Sequence, residues 1–270
     1  MKPRIAPLLL VVGLVAGPAW AEDAAPPSSE VESRPFTLFA GGSAWSGDYG
    51  SSTNTTITAA LAGVQYRVGG LRLSASLPWM RISSHGAVFT GIDGAPLIVA
   101  PSFGPVRTVR EGVGDLTLGA SYLVPAVTPL GVDIDLRGKV KVPTGSVSKG
   151  VSTGKADYAF GAEVSKPLGR FVPAVAVNYR IYGDAGAWKL KDGVAVSASG
   201  TYILAHHIAA VATYDYAQAA SAYIADSHSV TGAVSAPLAP HGLRLTAFVS
   251  KGLSNGAAEV SGGLSLSARL

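Results

Sequence analysis

The sequence predicts an all-β protein, a transmembrane antiparallel up-and-down β-barrel of about 12 strands. Three observations support this prediction: an N-terminal export signal, a high hydrophobic content without a membrane-length helix, and a period of two in hydrophobicity. Hydrophobic residues make up 48% of the 270 residues, and the mean hydropathy is +0.33. After Val15, however, there is no run of about 18 apolar residues. A closed barrel accommodates such a composition, because its strands pair every backbone group and turn one face to lipid.

The N-terminus is typical of a secretory signal peptide. Lys2 and Arg4 give a positive start, residues 8–15 form an apolar run, and Ala19-Trp20-Ala21 is a small-x-small cleavage site. The apolar run is too short to span a bilayer as a helix. We therefore predict cleavage of the signal and export to the outer membrane of a Gram-negative cell. The predicted divisions are a signal peptide (1–21), a flexible N-terminal segment (22–35) and an outer-membrane β-barrel (36–270).

Sparse charge and the absence of cysteine exclude several classes of function. Charged residues make up 14% of the chain, whereas soluble domains carry about 25%. Without the signal peptide, 19 basic residues balance 17 acidic ones, and no basic block indicates a nucleic-acid partner. A chain without cysteine has no disulfide, thiol nucleophile or Cys-type metal site. We expect no cofactor and no metal.

The period-two pattern is clearest in residues 131–142. Its even positions are apolar or small. Its odd positions from 133 to 141 are all charged: Asp133, Asp135, Arg137, Lys139 and Lys141. A strand gathers such charges on one face, whereas a helix would scatter them around its circumference. The same alternation recurs in residues 115–124, 194–204 and 260–270.

Weaker alternating segments complete a series of about 12 strands. They lie at about 36–46, 55–67, 71–83, 156–166, 171–182, 208–218, 227–237 and 243–252. The connections between strands alternate between tight and longer ones, as in barrels with short periplasmic turns and longer outer loops. A soluble β-sandwich or lipocalin-like barrel is the alternative. In that case large apolar side chains would point inward, and about 12 strands would enclose more space than these small residues fill.

The charged strand positions are predicted to line the lumen. They are Asp133, Asp135, Arg137, Lys139, Lys141, Asp157, Glu163, Arg180, Asp215 and Arg244. Two interpretations remain open for them. They form either a polar channel in which mixed charges set solute preference, or a plug of salt bridges that fills the lumen.

The longest loop, Ser84 to Val113, is unusually apolar. Phe89, Ile92 and Phe103 are candidates for a constriction if the loop folds into the barrel. Alternatively, the loop stays outside and packs on lipopolysaccharide. An inward loop of this composition would favour apolar or aromatic solutes.

Catalysis is not expected, and no catalytic residue is assigned. An outer-membrane lipid-modifying enzyme would need a serine and a histidine on one face. His228 lies between Ser227 and Ser229, but adjacent strand residues point to opposite faces. A structural barrel with a closed lumen is the stronger alternative to a channel.

Short motifs in the middle of the chain resemble a known family. The residues are Gly114, Asp115, Pro143, Thr144, Gly145, Gly154 and Asp157. Their order resembles that of the outer-membrane transporters named for the meta-pathway of phenol degradation, in which GD opens a strand, PTG ends the next and Gly-x-x-Asp follows the loop. The resemblance covers about residues 110–180 well and the rest by pattern. It implies that Gly145 and the polar motif residues shape a strand pair and its loop.

The resemblance also implies a passive barrel, often encoded with aromatic-degradation functions. Together with the composition it leads to an expected function: passive uptake of small molecules, aromatic or hydrophobic ones among them. The expected partners are outer-membrane lipid and lipopolysaccharide, the barrel-assembly machinery during insertion, and an unidentified small-molecule solute. The final residue, Leu270, departs from the aromatic that commonly ends such barrels.

Overall fold

The computed structural model describes residues 34–92, 94, 96–100, 106–124, 131–185, 189–204, 207–239 and 242–270. The predicted signal peptide, nearly all of the N-terminal segment and Phe103 lie outside these ranges, so the predicted divisions of the chain stay a prediction. No helix among the described residues is both long and apolar enough to cross a membrane.

Fifteen strands form within the described ranges. They are β1 (Phe36–Gly47), β2 (Thr55–Val68), β3 (Leu71–Ser84), β4 (Ala87–Thr90), β5 (Pro96–Ala100), β6 (Thr108–Val113), β7 (Leu116–Val124), β8 (Asp133–Val142), β9 (Asp157–Ser165), β10 (Phe171–Ile181), β11 (Gly193–Ile203), β12 (Ala209–Ala217), β13 (Ser227–Ala239), β14 (Leu243–Gly252) and β15 (Val260–Arg269). Strands β4 and β5 pair with each other as a separate hairpin, and the other strands form one antiparallel sheet.

The large sheet closes into a barrel of 12 positions, because β1 to β3 and β7 to β15 pair consecutively, β3 pairs with β7, and β1 pairs with β15. β3 has two partners along one edge: β6 pairs with Trp79–Ser84 and β7 pairs with Leu71–Ser76. β6 and β7 thus occupy one barrel position that is interrupted at Gly114 and Asp115. The predicted fold class, an all-β antiparallel up-and-down transmembrane barrel of 12 strands, is confirmed.

The barrel strands turn polar residues inward and large apolar residues outward. In β8, Asp133 and Asp135 are 3% and 2% exposed, whereas Leu136 is 49% exposed. The same alternation exposes Phe160 of β9 and Val175 of β10. This arrangement is the reverse of a soluble barrel, and it suits a wall that faces lipid. The soluble alternative is therefore excluded.

The two ends of the barrel differ. One end, called the short-turn end, carries tight turns such as those at Gly69 and Gly169. The φ angles of these glycines, +54° and +68°, lie in the left-handed region that glycine adopts without strain. The start of β1 and the end of β15 meet there too, since the Leu270 N–H donates to the Phe36 carbonyl. The opposite, long-loop end carries the connections 48–54, 143–156 and 218–226.

The prediction of a single loop from Ser84 to Val113 is wrong. β3 continues through Ser84, residues 87–100 contain the β4–β5 hairpin, and β6 returns to the wall over residues 108–113. Sequence periodicity missed β6 because only six residues alternate before the strand breaks at Gly114. Outward-facing Arg81 and Glu111 form an ion pair of 3.8 Å across β3 and β6.

Candidate functional site: the barrel interior

The β4–β5 hairpin, called the inner hairpin below, packs inside the barrel. Val88 of β4 is 1% exposed and belongs to a buried cluster with Trp45, Ile57 and Ile82 from β1 to β3. Leu97 of β5 is 3% exposed and packs in a second cluster. That cluster includes Ala185, Leu190 and Ala220, from the connections that follow β10 and β12, together with Tyr182. The hairpin therefore lies between opposite walls of the barrel.

Two contacts hold the end of β4 to the wall. The Thr90 hydroxyl lies 3.4 Å from the Met80 Sδ on β3. Lys141 Nζ on β8 donates to the Thr90 carbonyl at 3.4 Å. The end of β4 is thus fixed to both β3 and β8.

Two of the three predicted constriction residues, Phe89 and Ile92, lie in the described part of the chain, and both pack inside the barrel. Ile92 is 5% exposed and lines an interior cavity. Phe89 packs against the Leu97 cluster, and the Arg110 guanidinium lies 5.9 Å from the centre of its ring. Phe103 lies outside the described ranges.

A cavity of about 110 Å³, called the inner cavity, lies beside the hairpin. Its apolar side comes mainly from β1 to β3: Phe39, Trp45, Ile57, Leu61 and Met80. Its polar side comes mainly from β7 and β8: Asp115, Thr117, Lys139 and Lys141. For comparison, an apolar cavity of about 150 Å³ holds one benzene molecule. The inner cavity therefore has the scale of a small organic molecule and presents two chemically different walls.

The charges on the polar wall are paired. Lys141 Nζ lies 2.7 Å from Asp157 Oδ2 and 3.4 Å from Asp115 Oδ2. All three side chains are at most 4% exposed. Asp115 directly precedes β7, Lys141 lies on β8 and Asp157 begins β9, so this triad ties the ends of three neighbouring strands together next to Thr90 of the inner hairpin.

A second charged group lies nearer the short-turn end of the same wall. Arg137 NH2 lies 3.5 Å from Glu163 and 3.9 Å from Asp135, and Arg72 NH1 lies 3.9 Å from Asp135. Sequence reasoning missed Arg72, because β3 alternates weakly. Its register with Ser121 of β7, which is buried, places it on the inward face.

The remaining predicted lumen residues are distributed around the barrel. Asp133, Arg180, Asp215 and Arg244 are at most 8% exposed, and Lys139 is half-buried beside the inner cavity. Arg244 donates to the Ser235 hydroxyl at 2.9 Å and to the His207 carbonyl at 2.8 Å. The ion pairs of Lys141 and Arg137 described above lie on one wall and leave the inner cavity open beside them.

Asp115 connects the strand break to the loop between β8 and β9. Its Oδ1 accepts the Gly145 N–H at 2.8 Å, and its Oδ2 accepts the Ser152 hydroxyl at 2.9 Å. A Cβ added to Gly145 would lie 2.8 Å from the backbone carbon of Gly114, closer than real Cβ contacts allow. The close approach of these two segments therefore requires glycine at position 145.

Other motif residues also complete backbone hydrogen bonds at strand ends. The Thr144 hydroxyl, just after Pro143, accepts the Leu116 N–H at 2.8 Å. Asp157 Oδ1 accepts the Gly183 N–H at 3.0 Å. Gly154 has a φ of +70°, a conformation that glycine adopts without strain.

Replacing Thr144 with valine should lower the free energy of unfolding by about 1 kcal/mol, because the Leu116 N–H loses its acceptor while side-chain shape is kept. Urea unfolding of the refolded barrel in detergent measures this change. Thr144→Ser keeps the hydroxyl and should stay close to the unsubstituted protein. Equal stability of the valine and serine variants would contradict a role for the hydrogen bond.

The His228 ring contacts two tyrosines, whereas the His228 backbone N–H donates to the Ser254 hydroxyl at 2.9 Å. Its Nδ1 lies 2.6 Å from the Tyr214 hydroxyl, and its ring lies 5.0 Å from the centre of the Tyr216 ring. Ser229 is buried on the opposite face of the strand. This geometry does not build the serine–histidine pair of a hydrolase.

Comparison with known proteins identifies the fold. No known protein-family profile matches the chain, and no curated protein matches it in sequence. Among solved structures, an outer-membrane channel from Pseudomonas putida F1 superposes with a TM-score of 0.65 at 14% identity, covering 90% of this chain and 99% of that one.

Two further structures superpose less closely. The translocator domain of the autotransporter NalP from Neisseria meningitidis gives a TM-score of 0.55 at 12% identity, covering 87% of this chain and 88% of that one. The KdgM porin gives 0.52 at 10% identity, covering 86% and 99%. At these identities the likeness establishes the fold alone: the chain has the barrel fold of outer-membrane proteins.

Proposed function

We propose that this protein is an outer-membrane channel for passive uptake of small molecules, aromatic or hydrophobic ones among them. The observation that carries the proposal is the inner cavity of about 110 Å³ beside the inner hairpin. In this proposal the hairpin is the constriction of the channel. The resemblance to the phenol meta-pathway transporters and the fold shared with an outer-membrane channel support it.

The two walls of the inner cavity suit a solute with an apolar body and one polar end. Trp45, Ile57 and Met80 offer dispersion contacts on one side. The opposite wall offers charged groups that are held in place by their ion pairs. Lys139 and Lys141 together balance Asp115 and Asp157, so this wall carries little net charge.

A structural barrel with a closed lumen is the second candidate. It is favoured by one observation, the packing of the hairpin against opposite walls through Val88 and Leu97. In that case the hairpin would be a permanent plug. Conductance measurements separate the two candidates.

The decisive experiment compares single-channel conductance of the refolded protein with that of a variant in which a short Gly-Ser linker replaces residues 87–100. We expect the variant to conduct more, because the hairpin no longer lies between the walls. Conductance by the unmodified protein supports the channel, whereas conductance by the variant alone would show that the hairpin is a permanent plug. If neither protein conducts, the channel is rejected.

A cross-link provides a test that keeps the hairpin. The chain has no cysteine, so a Met80→Cys/Thr90→Cys pair can be joined selectively by a short bis-methanethiosulfonate, which forms a disulfide with each thiol and releases methanesulfinate. The two native side chains are in contact at 3.4 Å. Cross-linking should lower conductance, and cleavage of the link by a reductant should restore it. The single variant Thr90→Cys, treated in the same way, is the control.

A further inference from the structure

A second cavity, of about 70 Å³, lies on the other side of the inner hairpin, near the long-loop end. We call it the outer chamber. Leu97 of the hairpin and Trp45 of β1 form part of its apolar lining. Its polar lining includes Tyr49, Arg180, Ser227 and Ser261. Trp45 lines both cavities, so the outer chamber and the inner cavity are neighbours.

Tyr49, in the wall of this chamber, has a strained backbone conformation. Its φ of 51° lies in the left-handed region, where a bulky residue is rare. The turn is held by Asp48, whose side chain and carbonyl accept the Gly50 and Ser51 N–H groups at 2.8 and 2.9 Å. Strain of this kind is found most often at functional sites.

The Tyr49 hydroxyl is also buried without a hydrogen bond. The residue is 2% exposed, and no described residue lies within hydrogen-bond reach of the hydroxyl oxygen. An unsatisfied buried polar group costs about 1–3 kcal/mol. Burial raises the pKa of the hydroxyl, so the group stays protonated and can donate. Phenylalanine would fill the same space without this cost, which indicates a use for the hydroxyl.

Arg180 supplies a positive charge to the same chamber. It is 5% exposed, and among the described residues that line the chamber it alone carries a charge. Buried Asp215 interacts with it electrostatically. A guanidinium has five N–H donors, more than a single carboxylate accepts. A second carboxylate can therefore share the guanidinium with Asp215.

We propose that the Tyr49 hydroxyl and the Arg180 guanidinium bind the carboxylate of a small organic acid in the outer chamber. Hydrogen bonds from charged donors to carboxylates are the strong ones, and a guanidinium matches the carboxylate geometry. Trp45 and Leu97 pack against the hydrocarbon part of the acid. The chamber is smaller than the cavity of about 150 Å³ that holds benzene, which favours a short-chain acid. As a recognition step in uptake, this site rests on the proposed channel function.

Isothermal titration of the refolded full chain with propionate and with propionamide tests the site. The two probes have nearly the same shape, but only propionate carries a charge. We expect propionate to bind more tightly than propionamide. Tyr49→Phe should weaken propionate binding by about tenfold, the effect of one hydrogen bond to a charged group, and weaken propionamide binding by less, because the amide carbonyl accepts only a neutral hydrogen bond.

Tyr66→Phe, which removes a hydroxyl from the short-turn end of β2, is the matched control and should bind propionate like the unsubstituted protein. Arg180→Lys should also bind propionate more weakly, because an ammonium does not reproduce the guanidinium fork. Equal affinity for propionate and propionamide would overturn the proposal. Unchanged propionate binding by Tyr49→Phe would overturn it as well.

Liposome swelling with the same probes separates this proposal from the channel function. Propionate binding without flux of either probe would keep the site and reject the channel. Flux of both probes without any preference for propionate in binding would keep the channel and reject the site.

Discussion

Replacing Lys141 with methionine is expected to lower the free energy of unfolding by about 3–5 kcal/mol, the usual cost of removing one partner from a buried ion pair. Asp157 has 0% and Asp115 4% of the side chain exposed, and both carboxylates lie within 3.4 Å of Lys141 Nζ. Without the ammonium, two buried negative charges face each other and the Thr90 carbonyl loses a donor. Methionine keeps most of the apolar stem, so the loss is mainly electrostatic.

Urea unfolding in detergent, followed by tryptophan fluorescence, measures this change. Lys251→Met is the matched control: Lys251 is exposed on β14, and its loss should cost less than about 1 kcal/mol. The double variant Lys141→Met/Asp157→Asn should recover part of the stability, because it removes one of the uncompensated charges. A Lys141→Met variant as stable as the Lys251→Met control would show that water in the lumen screens the triad.

The barrel could be predicted because the alternation of polar and apolar residues that a barrel wall requires recurs in each strand of the sequence. Each wall strand must separate lipid from lumen, so residues such as Asp135 and Leu136 alternate, and the period appears within ten residues. The charged residues from Asp133 to Lys141 were predicted on the inward face for the same reason. Strand β3 gave a weaker signal, and Arg72 was missed.

The inner hairpin and the outer chamber could not be predicted in this way. Val88 and Leu97 are apolar in a loop, and apolarity alone does not say whether a loop packs on lipid or inside the barrel. Their positions depend on contacts with residues distant in sequence, such as Trp45 and Ala220. The role of Tyr49 depends on a backbone angle and a missing hydrogen bond, which have no sequence pattern.

Replacing Asp115 with alanine should release the loop of residues 143–156 and make tryptic cleavage at Lys149 and Lys155 about 10 to 100 times faster. The carboxylate accepts hydrogen bonds from Gly145 and Ser152, and both donors would lose their acceptor. Each such loss costs about 1–3 kcal/mol, and proteolysis follows the population of the locally open state.

Mass spectrometry of timed digests identifies which bond is cut, and heat-modifiable migration in gels shows whether the barrel remains folded. Asp48→Ala removes a carboxylate that holds a different loop, through the Gly50 N–H, and should leave cleavage at Lys149 and Lys155 unchanged. Asp115→Asn keeps one side-chain acceptor, so trypsin should cleave this variant at an intermediate rate. If Asp115→Ala stays folded and is cut no faster than the Asp48→Ala control, the loop is held by its other contacts. Those contacts include the packing of Val151, which is 1% exposed.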